Sequence, residues 1–166
     1  SIAAAEALVG DKLEGDAVVE AMVGLTLPGR LEPVATGPLV MLDGAHNADG
    51  IASLVAALED EFPTTLWHVV FGVMGDKNVD LMIECLAPIA KGFVATAPDS
   101  ERAVKPYELA EKLATQVGVP VLTADTTDLA VDMARAEAGP AGSVLVTGSL
   151  YLVGEARSAI TAGDQP

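Results

Sequence analysis

From residue 38 onward the chain repeats one unit five times: a short aliphatic run, then a stretch whose apolar residues recur every three or four positions. The runs are "PLVMLD" (38–43), "LWHVVFGV" (66–73), "GFVATA" (92–97), "VPVLTA" (119–124) and "SVLVTG" (143–148). Near-continuous apolar character over so few residues predicts strands buried on both faces. The intervening stretches, 47–62, 78–90, 106–118 and 128–139, with 149–160 closing the series, carry helical spacing. In the first of them Ile51, Leu54, Val55 and Leu58 fall on one side. Strand and helix in strict alternation imply a parallel sheet with helices on both faces. The run after "LPGR" reads as a turn leading into a short polar-apolar strand. The expected architecture is therefore α/β and Rossmann-like: about five parallel strands plus one antiparallel edge strand.

Composition sharpens this picture at three points. Hydrophobic residues make up 51% of the 166 but aromatic ones only 4%, so the core must be built from Val, Leu, Ile and Ala. The 24 acidic residues exceed the 9 basic ones by 15, which disfavours nucleic acid and anionic membranes as partners. Any anion the protein binds must be met by a few local cations, so the position of each Lys and Arg carries information. Such self-repulsion is tolerated best when salt screens it, and stability is expected to rise with ionic strength. Cys85 stands alone, excluding an intrachain disulfide, and reads as a small core hydrophobe. The sequence offers neither a membrane-length apolar run nor a signal-peptide pattern, and a cytoplasmic location is expected.

Residues 1–27 stand outside the alternation. "SIAAAEALVG" and "GDAVVEAMVG" read as two short helices, and an opening at Ser1 in mid-pattern suggests the remnant of a preceding domain. The expected division is 1–27 as that remnant, 28–160 as the α/β domain and 161–166 as a tail or linker.

In a parallel sheet, ligands lie beyond the carboxyl ends of the strands, where helix N-termini also point. The loops there hold Asp43 to Asn47, Gly72 to Lys77, Pro98 to Arg102, Asp125 to Asp128, and Gly148-Ser149. Ordinary structure accounts for part of this: Asp43 as a turn acceptor, Asn47 and Ser149 as helix caps, Lys77 as a solvated loop charge. His68, inside an apolar run, reads as a satisfied buried imidazole. Several chemistries are excluded. The chain has no P-loop of its own, no G-x-G-x-x-G after the first strand, no readable Ser/His/Asp triad and no His pair at metal-ligand spacing.

Taken together, "PGRLEPV", "MLDGAHNADG", "GVMGDKN" and "VTGSLYLVGEAR" resemble the C-terminal domain of the folylpolyglutamate synthase/dihydrofolate synthase branch of the Mur ligase family. The likeness spans 28–160, and departs from the family pattern where Ala48 replaces a proline. It implies an ATP- and Mg-dependent ligase that activates a folate carboxylate as an acyl phosphate and joins L-glutamate to it. The P-loop, the metal ligands and most contacts to the reduced folate would belong to an N-terminal P-loop domain, without which this chain is expected to be inactive. By the same resemblance Arg30 would reach the nucleotide phosphates and Asp43 the ribose hydroxyls. His46 would sit by the glutamate or the transferring phosphate as the catalytic candidate, while Lys77 and Ser149 would hold glutamate carboxylates. A peptidoglycan ligase of the same family and a non-catalytic flavodoxin-like module are the competing expectations.

Overall fold

The computed structural model describes residues 2–12, 14–15 and 27–163. Six strands, β1 (Glu32–Thr36), β2 (Leu39–Leu42), β3 (Trp67–Phe71), β4 (Ala90–Ala95), β5 (Val121–Thr123) and β6 (Ser143–Thr147), form one sheet in the order β1-β2-β6-β3-β4-β5. Every neighbouring pair is parallel except β1 and β2, which form the antiparallel edge. The helices are α1 (Ile2–Val9), α2 (Ala48–Glu61), α3 (Val79–Leu86), α4 (Pro106–Gln116), α5 (Thr127–Ala138) and α6 (Leu150–Gly163). This is the expected architecture. The second leading helix, expected over 15–24, lies almost wholly outside the described residues.

Side chains along each strand alternate between two cores. Met41, Leu145, Val69 and Phe93 share a register row and face α2, α3 and α4, meeting Leu54, Met82, Ile83 and Leu109. Leu42, Val146, Val70 and Val94 form the next row and face α5 and α6, where Leu152 packs against them and Ala130, Ala134 and Ala156 are small enough to let the helices lie close. Burying Val and Leu side chains on both sides contributes about 1.5–3 kcal/mol for each. Cys85 packs against the first core at intermediate exposure, as a small hydrophobe would.

Element boundaries follow local chemistry. Asn47, Asn78 and Thr126 accept the N–H of Gly50, Leu81 and Leu129 and so begin α2, α3 and α5. The helix expected over 78–90 ends at Leu86 instead. Pro88 cannot donate to the preceding turn, so Ala87–Ile89 tighten into a 3-10 turn that feeds β4 at Ala90, two residues before the expected start. At the other end α6 runs to Gly163, past the expected stop at 160.

Helix placement defines where a ligand fits. The segments after β2, β3 and β4 lead to helices on one face, and those after β5 and β6 to helices on the other. Loops leaving neighbouring strands in opposite directions open a crevice at the sheet's carboxyl edge. That happens on both sides of β6 and again between β4 and β5.

Candidate active site

Beside β6 the crevice is a cleft of about 310 Å³ lined by His46, Asp76, Lys77, Asp99, Ser100, Arg102, Ser149 and Tyr151, with Met74 and Leu150 supplying apolar wall. Glycines allow the loops to meet this closely. Gly148 adopts φ 107°, and a Cβ there would stand 2.6 Å from the Gly72 carbonyl and 2.8 Å from the Phe71 ring. A Cβ on Gly44 would collide with the Leu150 side chain. Hydrogen bonds then join the loops: Gly148 N–H to the Ala45 carbonyl at 3.0 Å, and Gly75 N–H to the Arg102 carbonyl at 2.8 Å.

His46 is exposed, and its Nδ1 lies 2.9 Å from the Gly44 carbonyl. A carbonyl only accepts, so Nδ1 carries the proton and Nε2 of the neutral ring remains an acceptor at the cleft wall. Lys77 donates to Asp76 Oδ2 at 2.9 Å, and the Arg102 guanidinium stands 3.7 Å from Asp76 Oδ1. The hydrogen bond from Lys77 is the main influence holding the Asp76 carboxyl below its usual range, with the charges of Lys77 and Arg102 adding to it. One carboxylate thus spaces two cations along the cleft wall. Ser149 is buried at the start of α6, its Oγ accepting the Tyr151 N–H at 3.2 Å. The hydroxyl proton remains free to donate.

Arg30 and Asp43 lie on the same edge but outside that cleft. β1 runs antiparallel to β2 with Glu32 opposite Leu42, which brings the segment before β1 to the carboxyl end of β2. There the Gly44 N–H meets the Gly29 carbonyl at 2.8 Å, and Arg30 is exposed. Asp43 is buried, with Oδ2 accepting the Leu31 N–H at 3.0 Å and Oδ1 the Ala45 N–H at 2.8 Å.

Residues 29–150 match the family described as Mur ligase, glutamate ligase domain, which covers most of the chain. The chain belongs to the Mur ligase family. This Mur ligase domain is 38% identical over 154 residues to a probable bifunctional folylpolyglutamate synthase/dihydropteroate synthase of Haloferax volcanii, covering 93% of the chain and 18% of that protein. It is 35% identical to the dihydrofolate synthase/folylpolyglutamate synthase of Mycobacterium tuberculosis, covering 95% of the chain and 36% of the relative. The crystal structure of the Mycobacterium tuberculosis folylpolyglutamate synthase complexed with ADP and AMPPCP superposes with a TM-score of 0.85 at 34% identity, over 97% of this chain and 38% of that one. The Mur ligase domain thus spans 18% to 38% of the length of these relatives.

The structure gathers His46, Lys77 and Ser149 in one cleft, with Arg30 and Asp43 beside it. Sequence reasoning counted Arg102 among the edge loops but assigned it no role, and it missed the Asp76 link between Arg102 and Lys77. The available signal was position: Arg102 follows β4 on the carboxyl edge, as Lys77 follows β3. One expectation is corrected. His68 is buried but not satisfied, since its Nε2 has no hydrogen-bond partner. It lies at the opposite, amino end of β3 from this site and takes no part in it. Among the described residues no group of His, Cys, Asp and Glu is arranged to hold a metal ion.

Proposed function

We propose that this chain is the closing domain of an ATP-dependent ligase that adds L-glutamate to a reduced folate. In this reading residues 28–160 form the glutamate ligase domain, 1–27 belong to the end of a preceding domain and 161–166 to a tail. The supporting observation is the cleft itself, in which Lys77, Arg102, Ser149 and an acceptor nitrogen of His46 converge on a surface otherwise dominated by acids. An amino dicarboxylate is the ligand those groups suit: guanidinium and ammonium take the carboxylates, and the hydroxyl and helix N-terminus add donors. Identity and coverage taken together support a folate acceptor over a cell-wall one. The two folate relatives are 38% and 35% identical over 93% and 95% of the chain. A UDP-N-acetylmuramyl-tripeptide synthetase of Lactobacillus acidophilus is 30% identical over 86%, and a UDP-N-acetylmuramoyl-L-alanyl-D-glutamate--2,6-diaminopimelate ligase of Caldanaerobacter subterraneus is 36% identical over 55%.

A carboxylate is a poor electrophile, so the acceptor is first phosphorylated by ATP. The glutamate amine then attacks the carbonyl carbon, the C–O bond to phosphate breaks with its electron pair, and the amine's surplus proton leaves. His46 Nε2 is the group in this chain suited to take that proton, because Gly44 holds the other ring nitrogen protonated. Arg30 would contact phosphate oxygens in bidentate fashion. Asp43 would act on the nucleotide from a carboxylate that already accepts two backbone N–H groups. Among the described residues no set of side chains fits Mg; in this reading the metal ligands and the P-loop belong to an N-terminal domain in the cytoplasm with this one.

The test joins the chain to its P-loop domain and measures ADP release against each substrate. Lys77→Ala is expected to raise the glutamate KM about tenfold or more, as loss of a charge-assisted hydrogen bond does, with folate KM little changed. Unaltered glutamate kinetics would overturn the assignment of Lys77, and faster turnover with diaminopimelate than with glutamate would overturn the folate reading. The chain alone is expected to release no ADP.

A further inference from the structure

Arg30 sits on an arm whose backbone is held in an uncommon form. Gly29 has φ 69° and Leu31, which carries a side chain, φ 41°. The left-handed region is unfavourable for a residue with a Cβ, and it persists where surrounding bonds determine it. Two carboxylates do so here. The N–H groups on either side of Arg30 each meet one: Gly29 donates to Glu32 Oε2 at 2.8 Å and Leu31 to Asp43 Oδ2 at 3.0 Å. The remaining oxygens tie the arm to two different parts of the fold. Glu32 Oε1 accepts from Arg157 Nε on α6 at 3.0 Å, and Asp43 Oδ1 accepts from the loop after β2.

Glu32 is an unusual choice for this position. It is 8% exposed, and burial opposes its charge, yet the Gly29 N–H and the Arg157 guanidinium outweigh burial and hold its carboxyl below the usual range. One of only 9 basic residues in a chain of net charge -15 is committed to this glutamate. Arg30, by contrast, is exposed between the two clamped amides. A flexible guanidinium gains affinity when its Cα is fixed before the ligand arrives.

We propose that Glu32, anchored by Arg157, is a positioning residue that presents Arg30 to a polyphosphate, with Asp43 closing the other side of the same clamp. The proposal rests on the reading of Arg30 as a phosphate contact. In the ligase that includes the P-loop domain, Glu32→Ala is expected to raise the nucleotide KM about tenfold, as Arg30→Ala does, and to leave the glutamate KM within about twofold of wild type. Combined with Arg30→Ala it should add nothing, because both changes remove one interaction. Glu32→Gln keeps an acceptor for the Gly29 N–H and should recover most of the loss. Additive losses in the double variant, or equal rises in both KM values, overturn the proposal.

Should Glu32→Ala fail to fold, Arg157→Ala removes only the anchor, and the Gly29 amide should then exchange with deuterium faster than in wild type. An unchanged exchange rate overturns the clamp. Arg30→Ala with an unmoved nucleotide KM would instead remove the phosphate reading, and exchange at Gly29 in the anchor variant then decides the clamp by itself.

Discussion

His68 shows how one residue records the character of its surroundings. Its neighbours in register are Val144 on β6 and Gly92 on β4, and the ring lies against Gly92, its Nδ1 3.6 Å from where a Cβ would stand. Burial is the largest influence lowering its pKa; the charge of Lys91 lowers it further and Glu137 partly offsets both. Unfolded, the imidazole takes up a proton below its ordinary value of 6.5, while the folded ring resists it. The unfolded state therefore binds more protons in that window, and folding stability falls as pH drops from about 6.5 toward the folded pKa. Urea unfolding at pH 7.5, 6.5 and 5.5 should show that decline. His68→Leu should flatten it and leave stability at pH 7.5 equal or higher by about 1 kcal/mol, since it removes an unpartnered buried nitrogen. A slope equal to wild type would assign the pH dependence to other groups. The tendency to bury was legible in the apolar run around His68. The absence of a partner was not, because it depends on which strands lie alongside β3.

At the scale of elements, the ends were the least legible part of the sequence and short side chains set them. Asn47 begins α2 by accepting the Gly50 N–H at 2.7 Å, and Asp49 follows in the first turn, where a negative charge suits the helix dipole. Asn47→Ala is expected to cost about 1 kcal/mol of stability, measurable as a lower urea midpoint with unchanged slope. A midpoint within error of wild type would mean that packing of Ile51, Leu54 and Leu58 alone holds the helix. Likewise α4 starts at Pro106, as its sequence predicts, but closes at Val117 and not at Gly118, its cap N–H bonding to the Leu113 carbonyl. Pro88 was visible in the sequence and its effect on α3 follows from the missing N–H; what hid it was the apolar periodicity, which continues across the break. The cores of β2, β3, β4 and β6 needed no such correction, whereas β5, expected to be buried on both faces, is half-buried with Thr123 exposed, because it forms the sheet's edge and an apolar run does not encode its place in the strand order.

For the whole molecule, charge is the dominant long-range quantity. A net charge of -15 on 166 residues opposes the compact state, and salt weakens the opposition as the Debye length shrinks from about 10 Å near 0.1 M to about 3 Å near 1 M. The melting temperature should rise over that range of NaCl, by about 2–4 °C for each kcal/mol of repulsion relieved. A melting temperature that falls with NaCl would show that attractive pairs such as Lys112–Asp80 and Arg157–Glu32 outweigh the repulsion. Two of the cations at the sheet's edge, Lys77 and Arg102, share one acid, Asp76. The strand-helix alternation, the burial of the central strands and the row of loops that bear chemistry were legible along the chain alone, because these follow from period and turn residues over a few neighbouring positions. The crossovers of the folded chain place β6 between β2 and β3, and with it Ser149 in one cleft with His46 and Lys77 and Glu32 against Arg157. Those pairings join residues 72 to 125 positions apart, and no local pattern encodes which distant loops a crossover will bring together.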